Sequence, residues 1–154
     1  LNLLATASGS RGMAGGQALD VAATSQQLTI AELELMHIHK TGALIRAAVL
    51  LGAHCGKATS SELDHLSHFS TRLGLLFQIV DDILDAESDT ATLGKTAGKD
   101  AAQNKSTYVS LLGKPQAKEL AVNLLHESHA ALSSFGDRAL RLHELTDFIA
   151  KRNF

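Results

Sequence analysis

Between Leu73 and Phe77 the chain reads Leu-Gly-Leu-Leu-Phe, and polarity does not return until Gln78. A helix that is apolar all round has to be buried all round. The helix expected from about Glu62 to Ala86 therefore belongs at the centre of a bundle. Such burial calls for more helices than 154 residues supply comfortably.

The remaining segments support this. Thr29-Ile30-Ala31-Glu32 has the form of a capping box, with Thr29 as N-cap and Glu32 reaching back. It predicts a helix from Ile30 to about Ala53, with an apolar stripe through Leu33, Met36, Leu44, Ala48 and Leu51. Leu1 to Ala7 reads as helical. Four glycines between residues 9 and 17 suggest a kink or break. Gly52 to Ser61 reads as a turn, with Ser60 or Ser61 capping the helix that follows. A short helix is expected from Thr107 to Leu112, ended by Gly113. Pro115, the one proline, suits the first turn of a helix over Gln116 to Ser133. A last helix runs from about Asp137 to Ala150, with Leu120, Leu124, Leu132, Leu142, Leu145 and Phe148 as packing residues. Strand-like alternation is rare, and the fold class read from the sequence is all-α.

Composition excludes several functions. A net charge of −2 does not suit nucleic-acid binding, and 4% aromatics leave few stacking platforms. No apolar run approaches membrane-spanning length. The single cysteine, Cys55, offers no zinc cluster, and with no secretion segment evident it points to a reducing, cytoplasmic setting. His65 and His68, three apart, lack a third ligand at a usual spacing. His37, His39, His126, His129 and His143 read as surface or structural residues.

The chemistry concentrates in Gln78-Ile-Val-Asp-Asp-Ile-Leu-Asp85. Asp81 and Asp85 are four apart, and Asp82 and Asp85 three apart. Both spacings place carboxylates on neighbouring positions of one helix face, about 5–6 Å from each other. Gln78 lies one turn earlier on the same side. Like charges this close cost helix stability, and a cation removes that cost. Acids at the end of a long apolar helix also oppose the helix dipole. Carboxylates with room for water suit Mg²⁺, which is commonly shared with substrate phosphates. Lys40-Thr41-Gly42 sits in the middle of a predicted helix, and Gln17 and Asp20, three apart, can face one pocket. The irregular stretch from Glu87 to Ser106 carries Lys95, Lys99 and Lys105, with Gly94 and Gly98 freeing the backbone around two of them. Such a lid could bring positive charge to a metal-bound phosphate.

Phe77 to Asp85 resembles the second aspartate-rich motif of the trans-prenyl diphosphate synthases, most similarly the bacterial farnesyl diphosphate synthase group. Three further segments match in the family's order: Gly12-Met-Ala-Gly-Gly-Gln-Ala-Leu-Asp20, His39-Lys-Thr-Gly42, and Leu93-Gly-Lys95 followed by Gly98-Lys-Asp100. Four ordered motifs cover more than half the chain, and the likeness continues more loosely to the C-terminus.

The resemblance implies an isoprenoid-synthase helical bundle, with residues 1–154 forming the C-terminal portion of one all-helical domain. The portion bearing the first acidic motif and its basic neighbours is then missing from this sequence. It implies a Mg²⁺-dependent, homodimeric prenyltransferase that joins isopentenyl diphosphate to dimethylallyl or geranyl diphosphate and releases pyrophosphate. On that reading Asp81, Asp82 and Asp85 hold metal, with Asp81 the first choice as direct ligand. Lys40, Thr41 and Lys95 contact diphosphate, while Gln78 lines the same site and orients water, carboxylate or cation. Lys99 and Asp100 belong to the closing loop, and Arg152 lies near the substrate mouth. A terpene cyclase also uses acid-rich helices, but Lys40-Thr41 with Gly94-Lys95 favours the synthases. A non-catalytic partner subunit would more often have lost its acids, and a plain helical interaction module would not explain four ordered motifs.

Overall fold

The computed structural model describes residues 1–91 and 105–152. The chain runs through α1 (Asn2–Ser8), α2 (Met13–Ala22), α3 (Ile30–His37), a π-helical turn (Ile38–Gly42), α4 (Ala43–Cys55), α5 (Ser60–Ala91), α6 (Tyr108–Leu112), α7 (Lys114–Ala131), a 3₁₀ segment (Ser133–Ala139) and α8 (Leu140–Ala150). No strand occurs among the described residues. No helix among them is long and apolar enough to cross a membrane.

The 32-residue α5 is the axis of the molecule. Leu73, Gly74, Leu75 and Leu76 are all buried, as their unbroken apolarity requires. α4 packs on one side of α5, α7 lies along another, and α8 closes over both α5 and α7. The largest fully enclosed side chains are Tyr108, Phe69, Leu33, Leu76, Ile79 and Leu132. Phe69, Leu76 and Ile79 come from α5, so the core forms around that helix.

The caps follow local chemistry. Thr29 and Glu32 form the expected capping box, with the Thr29 N–H donating to Glu32 Oε2 at 2.8 Å. At the start of α5 the capping residue is Thr59 rather than either serine. Its N–H donates to Glu62 Oε2 at 2.8 Å, and its hydroxyl accepts from the Glu62 N–H at 3.3 Å. A Thr three residues before a Glu satisfies two orphan donors at once, which a serine without that partner does not. Pro115 lies in the first turn of α7, and Gly113 before it takes a left-handed φ of 80°.

Two packing stripes are corrected. The helix from Ile30 runs on to Cys55, but it passes through the π turn, which shifts its register. The buried positions beyond it are Ala47 and Leu50, while Ala48 is exposed and Leu51 only partly covered. A stripe extrapolated at 3.6 residues per turn cannot be carried through a turn of different pitch. At the other end, Leu124 and Leu132 are buried, but Leu145 and Phe148 are exposed, Phe148 by 68%. The inward face of α8 instead carries Thr146 and Ile149.

Candidate active site

The site is built around the π turn. A π turn carries an extra residue relative to an α-helix and is often found at functional positions. Here it holds Lys40 and Thr41 in a backbone crowded by two glycines. Gly16 on α2 lies directly against it, where an added Cβ would fall 2.1 Å from the Lys40 nitrogen. Gly42 meets Gly74 of α5, where an added Cβ on Gly74 would lie 3.1 Å from the Gly42 Cα. Small residues thus bring α2, the π turn and α5 to near backbone contact.

This approach delivers two groups of side chains. In the first, Lys40 Nζ donates to Asp20 Oδ2 at 2.7 Å, and Lys105 Nζ reaches the same carboxylate at 3.0 and 3.1 Å. Asp20 is buried, whereas both lysines remain partly accessible. Burial pushes the Asp20 carboxyl upward, but the hydrogen bonds and charges of Lys40 and Lys105 together more than reverse it. Its pKa is held below the usual carboxylate range. Two ammonium groups on one carboxylate leave the cluster one positive charge in excess at a partly accessible position. The spacing-based pairing of Gln17 with Asp20 does not hold, because Gln17 is exposed while Asp20 turns inward.

The second group lies on α5. Thr41 Oγ1 donates to Gln78 Oε1 at 2.7 Å, tying the lysine turn to the helix one turn before the acids. The fold then separates acids that spacing treats alike. Asp82 is buried, and its Oδ2 accepts from the Tyr108 N–H at 2.7 Å, anchoring the first turn of α6. Asp81 is half-buried, and Asp85 is exposed. Asp81 Oδ1 accepts from Arg152 Nη2 at 2.6 Å, and the Arg152 guanidinium lies 4.2 Å over the Phe77 ring. Burial pushes the Asp81 carboxyl upward. The Arg152 charge and hydrogen bond oppose this without cancelling it, and the charge of Asp85 adds to the rise. Lys95, Lys99 and Asp100 lie outside the described residues.

His37 and Tyr108 fill the space behind these groups. Their rings stack at 5.7 Å, and both are buried. Burial and the Lys40 charge hold His37 down to about 4, against the weaker influence of Gln78 and Asp20. The ring is therefore neutral near pH 7 and adds no charge beside the lysines. The sequence reading did not single out His37, Tyr108 or Lys105 as site residues. Lys105 was visible only as one of three lysines in an irregular stretch.

The donors suit a hard cation. Asp81 and Asp85 present carboxylate oxygens at i and i+4 near the surface, while Asp82 is engaged inward. Among the described residues no group of three or more His, Cys, Asp or Glu is placed to enclose a metal. Such a site fits Mg²⁺, which keeps several waters and completes its shell from phosphate oxygens, better than a metal caged by protein alone.

Asp82 gives a direct test of this division. Asp82→Ala removes the acceptor of a buried N–H, which is expected to cost about 1–3 kcal/mol. Chemical denaturation should show a lower midpoint at unchanged slope. Asp82→Asn keeps an acceptor oxygen and should lose less.

The polyprenyl synthetase family model matches residues 2–134. Farnesyl diphosphate synthase from Escherichia coli (strain K12) is 46% identical over 154 residues, covering 97% of this chain and 52% of that protein. The FPP/GFPP synthase structure from Zymomonas mobilis superposes with a TM-score of 0.83 at 35% identity, covering 96% of this chain and 49% of that one. The geranyltransferase from Helicobacter pylori, solved with magnesium and isoprenyl diphosphate, superposes with a TM-score of 0.77 at 32% identity, over 96% and 48% of the two chains. The chain thus spans about half the length of the relatives it matches. The helical architecture, the motifs and the match over most of its length place this chain in the polyprenyl synthetase family.

Proposed function

We propose that this chain supplies the diphosphate-binding half of a Mg²⁺-dependent prenyltransferase site, as the C-terminal portion of one helical domain. The complete unit would condense isopentenyl diphosphate with dimethylallyl or geranyl diphosphate, giving a short-chain product such as farnesyl diphosphate. The observation that carries this reading is the linkage of cationic and acidic groups. Lys40 and Lys105 converge on Asp20, and the residue after Lys40 is bonded to Gln78, one helical turn before Asp81.

The chemical difficulty lies in the allylic carbon–oxygen bond. Its cleavage leaves an allylic cation and a pyrophosphate bearing the departing electron pair. The double bond of isopentenyl diphosphate attacks the cation, and a proton then leaves the new chain. Bound Mg²⁺ would stabilise the charge growing on pyrophosphate. Asp81 and Asp85 would hold it, while Asp82 fixes the helix end that positions them. Lys40 and Lys105 would exchange part of their contact with Asp20 for phosphate oxygens, and Lys95 would add a third ammonium. Thr41 and Gln78 would set the pocket wall and orient water or phosphate. The homodimeric state implied by the resemblance belongs to the same proposal.

Half a site should not turn over. The isolated chain, given Mg²⁺, isopentenyl diphosphate and dimethylallyl or geranyl diphosphate, is expected to form no prenyl product. A fusion to the amino-terminal portion of the 46%-identical relative should form one. Product from the isolated chain would overturn the half-site assignment. A folded but inert fusion that also binds no diphosphate would overturn the prenyltransferase reading.

A further inference from the structure

The packing of α7 on α8 brings together two histidines that are 14 residues apart in sequence. His129 Nδ1 lies 2.5 Å from His143 Nδ1. The ring centroids are 4.8 Å apart and the ring planes differ by 13°. That centroid separation equals the nitrogen gap plus the two ring radii. The rings therefore meet edge to edge in nearly one plane, with the two Nδ1 atoms head to head. On its far side His129 Nε2 lies 2.8 Å from Asp147 Oδ1. Lys151 Nζ is 3.7 Å from the other oxygen of that carboxylate.

A carboxylate only accepts, so His129 carries a proton on Nε2 and donates it to Asp147. Two facing lone pairs would repel and two facing protons would collide, so the contact between the two Nδ1 atoms holds one proton. A metal-ligating imidazole commonly has its outer N–H fixed by a carboxylate, as His129 has, and here its inner nitrogen faces a second imidazole.

We propose that His129 and His143 form a two-imidazole site for a borderline divalent transition ion such as Zn²⁺, clipping α7 to α8. The ion takes the place of the shared proton, which is released to solvent. Two zinc–nitrogen bonds of about 2.0–2.1 Å at a tetrahedral angle need the nitrogens roughly 3.3 Å apart. The gap must therefore open by less than an ångström and each ring must turn by roughly 35° to aim its lone pair at the ion, a movement open to side chains that are only partly covered. Water completes the shell, since the His129 side chain is 30% accessible. Nitrogen donors select against Mg²⁺, so this site is chemically distinct from the acidic cluster on α5 and does not rest on the prenyltransferase reading.

The test uses the chain as it stands. Zn²⁺ at a hundredfold excess over its dissociation constant should raise Tm by roughly 5–10 °C, and Mg²⁺ should not. Cu²⁺ as a spectroscopic probe should show two equatorial imidazole nitrogens by electron paramagnetic resonance. His129→Gln and His143→Gln should each abolish both effects, and Asp147→Asn should weaken Zn²⁺ binding about tenfold. Asp85→Asn, at the exposed end of the acidic cluster on α5, should leave both unchanged. An equal Zn²⁺ shift in His143→Gln, or a Cu²⁺ spectrum unaltered by that substitution, would place the metal elsewhere and overturn the proposal. So would a wild-type chain that binds no Zn²⁺.

Discussion

Asp81→Asn in a catalytically complete form is expected to lower turnover by about two to three orders of magnitude, without destabilising the metal-free fold. The first half follows from the proposed chemistry. The lost interaction strengthens as charge develops on pyrophosphate, so the defect should appear in kcat as well as in kcat/KM. The second half follows from the carboxyl itself. Its folded pKa is raised by burial, with Arg152 opposing and Asp85 assisting the rise. A carboxyl raised in the fold binds its proton more tightly there than in the unfolded chain. Its favourable contribution is present at low pH and is lost as pH rises through the folded pKa. Near pH 7 the ionised group therefore strains the fold, and an uncharged amide of the same shape relieves that strain. Thermal unfolding of Asp81→Asn without divalent ions should give a Tm equal to or above that of wild type. A loss as large as that expected for Asp82→Ala would show that Asp81 is a structural acid. Near-normal turnover with ordinary Mg²⁺ dependence would remove it from the proposed metal site.

Gly16→Ala should strongly damage the packing of α2 on the π turn. The new Cβ would fall 2.1 Å from the Lys40 nitrogen, 2.5 Å from its Cα and 2.7 Å from the His39 carbonyl carbon. All three are backbone atoms, so no side chain can rotate away. α2 must lift off the π turn, and the Lys40–Asp20 bond that spans the contact lengthens with it. Overpacking commonly costs about 1–3 kcal/mol, and a clash with backbone belongs at or above the top of that range. For a domain of this size that corresponds to a Tm lower by roughly 5–10 °C. Gly52→Ala is the control, because no atom lies within 4 Å of the added methyl and the residue is helical. There the expected change is small and stabilising, through the better helix propensity of alanine. Equal unfolding temperatures for the two variants would show that α2 does not depend on its close approach to the π turn.

These expectations rest on features of unequal legibility. The capping box at Thr29, the stop at Gly113 and the all-round burial of Leu73 to Leu76 are written in neighbouring residues. Hydrogen bonding and side-chain periodicity within a helix act over three or four positions, so such elements can be read locally. The acids and Gln78 stood out in the same way, as residue types at fixed spacing, whereas Lys40-Thr41 reads alone as a common surface pair and stood out only through the family resemblance.

Spacing could not separate Asp81 from Asp82, which differ by one position on one helix. Their surroundings separate them: Tyr108, 26 residues on, claims Asp82, and Arg152, 71 residues on, claims Asp81. The same is true of Lys105, whose bond to Asp20 spans 85 residues. His129 and His143 read as surface or structural residues with no link between them until α7 and α8 pack. A helix specifies which of its side chains share a face, because its hydrogen bonds close within a turn. Which partner meets that face depends on how whole helices pack, through burial and volume summed over the core, and no local spacing carries that sum.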